Sequence, residues 1–289
     1  MKNNIFFSII ITTYNSSKYI LRTIKSLERQ TYKNYEIIVV DDFSTDNTIQ
    51  LLKLKKLKKL KIIKNSNNFG GPGLGRNKGL EEANGDWIIF LDADDFWKKD
   101  ALKVFNDNIN KYTDINIFSF REIKLDFKKK KKTELNFRDY KKNYFFNMLI
   151  YGNQLSPSST TISIKFLKKN NLNFSEDKNF ISIEDYDFWL KIFKISDKII
   201  YIKQHLAYYL IHSHNISKKK NHFENFIYLL ESYKKIENEP YRKILNTRIK
   251  LEKILYKKNL NYPIFLFRIF NIFLISPVYL FKFIKYRYF

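Results

Sequence analysis

Residues 87–95 read Trp-Ile-Ile-Phe-Leu-Asp-Ala-Asp-Asp: five apolar residues run straight into three carboxylates. An apolar run this short, with no polar interruption, fits a strand covered on both faces. The acids begin where the strand ends. The same arrangement occurs twice upstream. Residues 5–11, apolar but for Ser8, lead into Thr12-Thr13-Tyr14-Asn15, and residues 36–40 lead into Asp41-Asp42. Between these runs the spacing is helical. Residues 16–30 place Ile20, Ile24 and Leu27 on one face, with Ser16 or Ser17 available as a cap, and residues 45–60 carry Asp46 near their start. A loop at 65–75 holds four of the seven glycines and precedes a helix over 76–83. Residues 101–111 read as helix and 115–120 as strand. The alternation predicts an α/β fold with a mostly parallel central sheet flanked by helices. Ligands of such sheets bind beyond the carboxyl ends of the strands, so the three polar sets should converge on one rim.

Past residue 126 the pattern loosens. Lys128–Lys132 is an unbroken five-lysine run, expected at an exposed loop or hairpin tip. Residues 140–150 read as helix, 156–166 as loop and strand, and 199–211 as strand. A helix over 183–193 opens on Glu184-Asp185. After Ser217 the chain turns helical and basic, which suggests a catalytic domain over 1–217 and a C-terminal helical, basic-aromatic extension over 218–289. Residues 262–289 contain eleven aromatics, four Lys/Arg and no acid. Arg268, Asn271, Pro277 and Lys282 interrupt them, so a segment lying on an anionic membrane surface fits better than a span.

Composition narrows the classes. The 289 residues include no cysteine, which excludes disulfides, thiolate zinc sites and a cysteine nucleophile. The formal net charge is +24, from 53 Lys+Arg against 29 Asp+Glu. Half of it falls after residue 200, where 17 basic residues face five acidic ones. A nucleic-acid partner is not expected. Only nine of the basic residues are Arg, the side chain that clamps phosphate and reads guanine, and carboxylates gathered at strand ends would repel phosphate.

Asp92, Asp94 and Asp95 repel one another unless a cation or strong donors sit among them. Carboxylate oxygens suit Mg²⁺ or Mn²⁺, which take one or two protein carboxylates and fill the remaining positions with water and phosphate oxygens. The glycine-rich loop lacks the G-x-G-x-x-G spacing of a dinucleotide site, and no G-x-x-x-x-G-K-[ST] phosphate loop is present. The sequence therefore sustains three readings. They are a transferase using an activated sugar, a sugar-phosphate nucleotidyltransferase, and a non-enzymatic nucleic-acid binder. The second needs glycines after the first strand, and residues 12–17 have none.

Several segments together resemble the family 2 glycosyltransferases. They are residues 8–15 (Ser-Ile-Ile-Ile-Thr-Thr-Tyr-Asn), 26–32, 36–48, 75–79 (Gly-Arg-Asn-Lys-Gly), 83–86, 90–95, 183–190 (Ile-Glu-Asp-Tyr-Asp-Phe-Trp-Leu) and 209–217. The match is dense over the first hundred residues. The resemblance implies a GT-A fold and an inverting, metal-dependent transfer of a hexose or N-acetylhexosamine from a UDP-sugar. The acceptor would be a lipid-linked glycan in lipopolysaccharide, capsule or other surface-polysaccharide synthesis. The enzyme would work at the cytoplasmic face of the membrane as a peripheral protein. It also implies roles. Thr12, Tyr14, Asn15, Asp41, Asp42, Arg76, Asp92 and Ala93 would form the nucleotide-sugar site. Asp94, with Asp92 and His212, would hold Mn²⁺ or Mg²⁺. Asp185 would be the general base, with Glu184 beside it. The family usually places Arg two residues before the histidine, where this chain has Leu210.

Overall fold

The computed structural model describes residues 4–137, 139–213, 215, 221–239 and 241–256. In chain order its elements are β1 (Phe7–Thr13), α1 (Ile20–Glu28), β2 (Tyr35–Asp41), α2 (Thr48–Leu54), β3 (Leu60–Lys64), α3 (Pro72–Glu81), β4 (Trp87–Asp92), β5 (Phe96–Trp97), α4 (Ala101–Lys111), β6 (Ile117–Asp126), β7 (Lys131–Leu135), α5 (Tyr144–Tyr151), β8 (Thr160–Ser163), α6 (Ile164–Lys169), α7 (Glu184–Ile195), β9 (Ile199–Ile211), α8 (His222–Ile236) and α9 (Tyr241–Tyr256). One sheet runs β3-β2-β1-β4-β8-β6-β9-β5, with β7 paired to β6. The β3-β2-β1-β4 half is parallel throughout. Strand β8 is antiparallel to both β4 and β6, and β6 is parallel to β9. Strands β1, β2, β4, β6 and β9 therefore all point the same way, and their carboxyl ends share one rim.

Strand alternation sends apolar side chains to both faces, because helices cover both. Phe7, Ile9, Ile11, Ile37, Val39, Ile89 and Leu91 pack with Ile20, Ile24 and Leu27 of α1 and with Leu102 and Phe105 of α4. Ile10, Ile38, Val40, Ile88 and Phe90 pack on the other face, with α3, α5 and α7. Leu229, Leu230 and Tyr233 of α8 and Leu245 and Ile249 of α9 join that second layer. Arg248 of α9 is 3% exposed and donates to the carbonyls of Met148 and Leu149 at the end of α5, and to Tyr186 Oη at 3.1 Å. Residues 262–289, expected to meet a membrane, lie outside the described residues. Among the described residues no helix is long and apolar enough to cross a membrane.

Two helices are shorter than their sequence spacing suggests. Helix α1 begins at Ile20, not Ser16. The N–H groups of Ser16 and Ser17 are donated to Thr48 Oγ1 (2.8 Å) and Asp46 Oδ2 (3.1 Å), so these serines tie two loops together instead of capping. Helix α2 ends at Leu54, and Lys56 takes a left-handed φ of 46° that turns the chain toward β3.

Gly79 on α3 lies directly over β1. A Cβ there would overlap the Cγ2 of Ile10, which is fully buried. Overpacking of about 1–3 kcal/mol outweighs the roughly 1 kcal/mol that Ala gains over Gly in a helix. Gly79→Ala should lower the urea midpoint by the equivalent of up to about 2 kcal/mol, with an unchanged denaturant slope.

Candidate active site

The rim is built from short loops whose polar side chains divide into braces and open groups. After β1, Tyr14 stands out at 51% exposure, and Thr12 packs against α3 where a Cβ on Gly75 would come within 2.9 Å of its Cγ2. Asn15 is left-handed, at φ 47°, and its Oδ1 accepts the N–H groups of Thr45 (2.8 Å) and Asp46 (3.3 Å). After β2, Asp41 turns inward. Its buried carboxylate accepts the N–H of Ser44 at 2.9 Å and the Ser44 hydroxyl. Asp42, one residue on, points the other way. It accepts Phe69 N–H at 3.1 Å, Gly70 N–H at 3.3 Å and Asn65 Nδ2 at 3.1 Å, and so anchors the start of the glycine-rich loop.

At the end of β4 lies an ion triad in which Arg76 and Glu184 are buried and the Asp92 side chain is 33% exposed. Arg76 is 4% exposed; its Nη2 meets Asp92 Oδ1 at 2.8 Å and its Nη1 meets Glu184 Oε1 at 2.8 Å. Its guanidinium also lies 5.1 Å from the centre of the Phe174 ring. Burial alone would lower the Arg76 pKa, but Asp92, Glu184 and Asp185 outweigh it and the pKa rises. Burial raises Glu184 and Asp92 above ordinary carboxylates, with Arg76 opposing the rise. Asp185 opens α7 beside this triad. Its Oδ2 accepts Asn153 Nδ2 at 2.9 Å and its Oδ1 accepts its neighbour's N–H, from Tyr186, at 2.8 Å. Burial, reinforced by Glu184, raises its pKa to about 7.

Asp94 faces a different partner. Its Oδ2 lies 2.6 Å from His212 Nε2, and the His212 ring stacks on Tyr19 with centroids 4.5 Å apart. Asn215 sets the turn that carries the histidine. Its Oδ1 accepts His212 N–H at 2.7 Å and its Nδ2 donates to Leu210 O at 3.1 Å. Asp95 is fully buried and acts as a pin, accepting the Ser158 hydroxyl at 2.6 Å and Leu210 N–H at 3.1 Å, which holds the end of β9 against the end of β4. The position where the family usually has Arg is thus a buried Leu210 whose backbone serves this pin. Ala93 contributes its carbonyl, which accepts the Thr23 hydroxyl at 2.7 Å.

Asp92, Asp94 and His212 do not form one three-ligand cluster, and among the described residues no group of three His, Asp or Glu is arranged to hold a metal. Asp92 Oδ1 is paired with Arg76 instead. What remains is a carboxylate oxygen and an imidazole nitrogen converging at partial exposure, 22% and 14%. That donor pair fits a divalent cation completed by water and phosphate oxygens. Beside the triad, a cleft of about 180 Å³ separates Phe69, Gly71 and Gly73 from Ser175, Asp177, Ile181 and Glu184. Sequence reading missed Asn153, Asn215 and Tyr19. Only Asn215 carried a signal, as the second polar end of a His-x-x-Asn turn.

A family model described as Glycosyl transferase family 2 matches residues 8–169. The chain is 40% identical over 100 residues to the poly(ribitol-phosphate) beta-N-acetylglucosaminyltransferase TarS of Staphylococcus aureus, covering 34% of this chain and only 18% of TarS. Residues 1–349 of TarS in complex with UDP-GlcNAc superpose with a TM-score of 0.66 at 23% identity, over 96% of this chain and 83% of that one. The Escherichia coli UDP-Glc:alpha-D-GlcNAc-diphosphoundecaprenol beta-1,3-glucosyltransferase WfaP is 30% identical over 74% of this chain and 80% of its own length. The Pyrobaculum calidifontis mannosyltransferase PcManGT, in complex with GDP-Man and Mn²⁺, superposes with a TM-score of 0.60 at 16% identity, over 98% of this chain and 84% of that one. The fold is GT-A.

Glu122 on β6 lies beneath this rim at 2% exposure, with its Oε1 lacking a hydrogen-bond partner. Burial, aided by Asp92 and opposed by a bond from Ser156, raises its pKa to about 8. A carboxyl raised on folding stabilises fully below its unfolded pKa and loses that contribution as pH rises toward its folded one. Between those limits the native state holds a proton that the unfolded state has released. Stability should therefore fall from pH 5 to pH 8, by up to about 1.4 kcal/mol per unit from this group. Glu122→Gln should flatten that slope in urea titrations taken across the range.

Proposed function

The chain belongs to glycosyl transferase family 2, and from that premise we propose an inverting glycosyltransferase that moves a hexose or N-acetylhexosamine from a UDP-sugar to a lipid-linked glycan in surface-polysaccharide synthesis. The observation that carries the reading is Asp185. It is a carboxylate whose pKa is raised to about 7, beside the Arg76–Asp92–Glu184 triad and on the same rim as Asp94 and His212.

The reaction asks for two things, a base for the acceptor hydroxyl and stabilisation of the departing diphosphate. Asp185 takes the hydroxyl proton. The acceptor oxygen then bonds to the anomeric carbon as the bond from that carbon to the diphosphate oxygen breaks, and UDP leaves with the electron pair. Single displacement inverts the anomeric centre and requires no covalent sugar–enzyme bond. Asn153 fixes the direction of the Asp185 carboxylate and leaves Oδ1, which faces its own helix N-terminus, stabilised as the anion. Mn²⁺ or Mg²⁺ would be held by Asp94 and His212, and would supply positive charge to the diphosphate. Asp92 acts through Arg76, with which it pairs at 2.8 Å. Tyr14 and Thr12 lie on the side of the rim suited to the nucleotide base. The cleft between the glycine-rich loop and residues 175–184 lies beside Glu184 and is suited to the sugar. The site of action would be the cytoplasmic face of the membrane, with residues 262–289 on the anionic surface.

Release of UDP from a panel of UDP-sugars in the presence of Mn²⁺ tests this reading. Asp185→Asn should lower kcat by about 10²–10⁴-fold, the usual weight of a general base, and Asp94→Ala should lower it comparably while raising the Mn²⁺ concentration needed. Turnover undiminished in both variants would overturn the assignment. The pH profile is a separate check. Asp185 must be ionised to accept a proton, so kcat/KM should rise about tenfold per pH unit below about 7 and level above it.

A further inference from the structure

The five-lysine run does not belong to the catalytic rim, yet the fold delivers it there. Strand β6 runs past the level of the acidic strand ends, pairs Asp126 with Ile211 of β9, and turns back through β7, with Asp126 facing Lys131. Ile211 is the residue before His212. The turn is defined by Asp126 Oδ1 accepting Lys129 N–H at 3.0 Å and by a left-handed Lys130 at φ 50°. All five of Lys128–Lys132 are exposed, and none enters an ion pair among the described residues. Asp126 and Glu134 are the acids at the base of the hairpin, and Glu134 faces His205 at 3.8 Å. Phe127, the first residue of the turn, is 61% exposed, and the Arg22 guanidinium lies 5.8 Å from its ring. Arg22 in turn donates to the carbonyl of Asp94 at 2.9 Å. Phe127 and Arg22 thus link the turn that carries the lysines to the backbone of Asp94, a residue of the proposed site.

We propose that the β6–β7 hairpin is a docking tip for the anionic headgroups of a bilayer, and that it turns the rim of the site toward the membrane surface. Three features favour a bilayer over the phosphates of a soluble acceptor. The tip is exposed on every residue from Phe127 to Glu134, so it offers no wall to grip a single group. Its cations are all lysine, strongly hydrated point charges on flexible stems that suit diffuse headgroup charge, whereas discrete phosphate recognition favours the bidentate fork of arginine. An exposed aromatic, Phe127, opens the same turn beside the lysines, as an interfacial ring would. The purpose of this orientation rests on the glycosyltransferase reading; the binding itself does not.

The test uses the full chain and vesicles of phosphatidylcholine with or without phosphatidylglycerol, read by co-sedimentation. The wild type should bind the anionic vesicles and release them as salt is raised. The variant carrying K128Q, K129Q, K130Q, K131Q and K132Q should lose at least about tenfold in partitioning, less than the roughly fivefold per lysine expected if all five engaged fully. The corresponding five-arginine variant should keep binding. The glutamine variant should retain the wild-type thermal melt and the wild-type rate of UDP release in solution. The proposal is overturned if the glutamine variant binds anionic vesicles as the wild type does, if phosphatidylglycerol makes no difference, or if the arginine variant fails to bind. It is also overturned if the glutamine substitutions instead raise KM for a soluble phosphate-bearing glycan without vesicles, which would assign the lysines to the acceptor. A wild type without UDP-sugar turnover would count against the glycosyltransferase reading and leave the vesicle result to decide this one.

Discussion

Arg76 is the constraint on which the rest of the site depends. It is a buried cation held at 2.8 Å by carboxylates from two distant parts of the chain, Asp92 at the end of β4 and Glu184 at the start of α7. Taking Arg76 and Glu184 out of water costs several kcal/mol per ion even after relaxation, and only close pairing, here shared with an Asp92 side chain that keeps a third of its surface in solvent, offsets it. The arrangement is therefore weak as a source of stability and strong as a device for placement. Losing one partner of such a set leaves an uncompensated charge, at a cost of about 3–5 kcal/mol. The chain is thus held to a geometry in which α3, β4 and α7 meet at one point. Arg76 also works against the burial that raises the Asp185 pKa, so the proposed base stays close to neutrality instead of climbing further.

The remaining acids of the rim sort by direction. Asp41, Asp46 and Asp95 spend their oxygens on backbone N–H groups and hydroxyls of neighbouring loops. Asp94 and Asp185 keep part of their surface toward solvent, each steadied by an asparagine from elsewhere, Asn215 and Asn153. Asp95 shows why the braces matter. It clamps Leu210 N–H, and two residues later the chain presents His212 to Asp94. A basic side chain at position 210 would have to leave a site that is 2% exposed, so replacement of the usual arginine by leucine is consistent with a position used here for packing.

What the sequence made legible was local. Apolar runs ending in polar residues located β1, β2 and β4 and the rim they share, because burial on both faces leaves a short, uninterrupted signature. The hairpin at 128–132 was legible because five adjacent lysines cannot be buried. The insertion of β8 antiparallel between β4 and β6 was not, since strand direction leaves no mark on a single strand. Asp41 and Asp42 look equivalent as letters, yet strand alternation sends one into the protein and one to the loop. The start of α1 was misjudged because Ser16 and Ser17, good caps by type, are engaged by Thr48 and Asp46 about thirty residues away. Arg76 and Glu184 are 108 residues apart, and no spacing rule reaches that far.

The site also shows how little the chain's net charge governs its chemistry. A protein of +24 should on average favour ionised carboxylates, yet burial is the first cause of the raised pKa at Asp92, Asp95, Glu122, Glu184 and Asp185 alike. Two distances explain it. Exposed lysines act through water, where a charge is screened beyond about 8 Å at physiological salt. The carboxylates act on one another through the protein interior, where interaction strengths are several times larger. Desolvation therefore outweighs the diffuse positive field, and only a cation inside the same low-dielectric volume can oppose it. Arg76 is such a cation for Asp92, Glu184 and Asp185. Glu122, with no cation among the causes of its shift, is raised to about 8, and Asp95, which has only the partly exposed Arg22 for a cationic neighbour, lies well above the ordinary range.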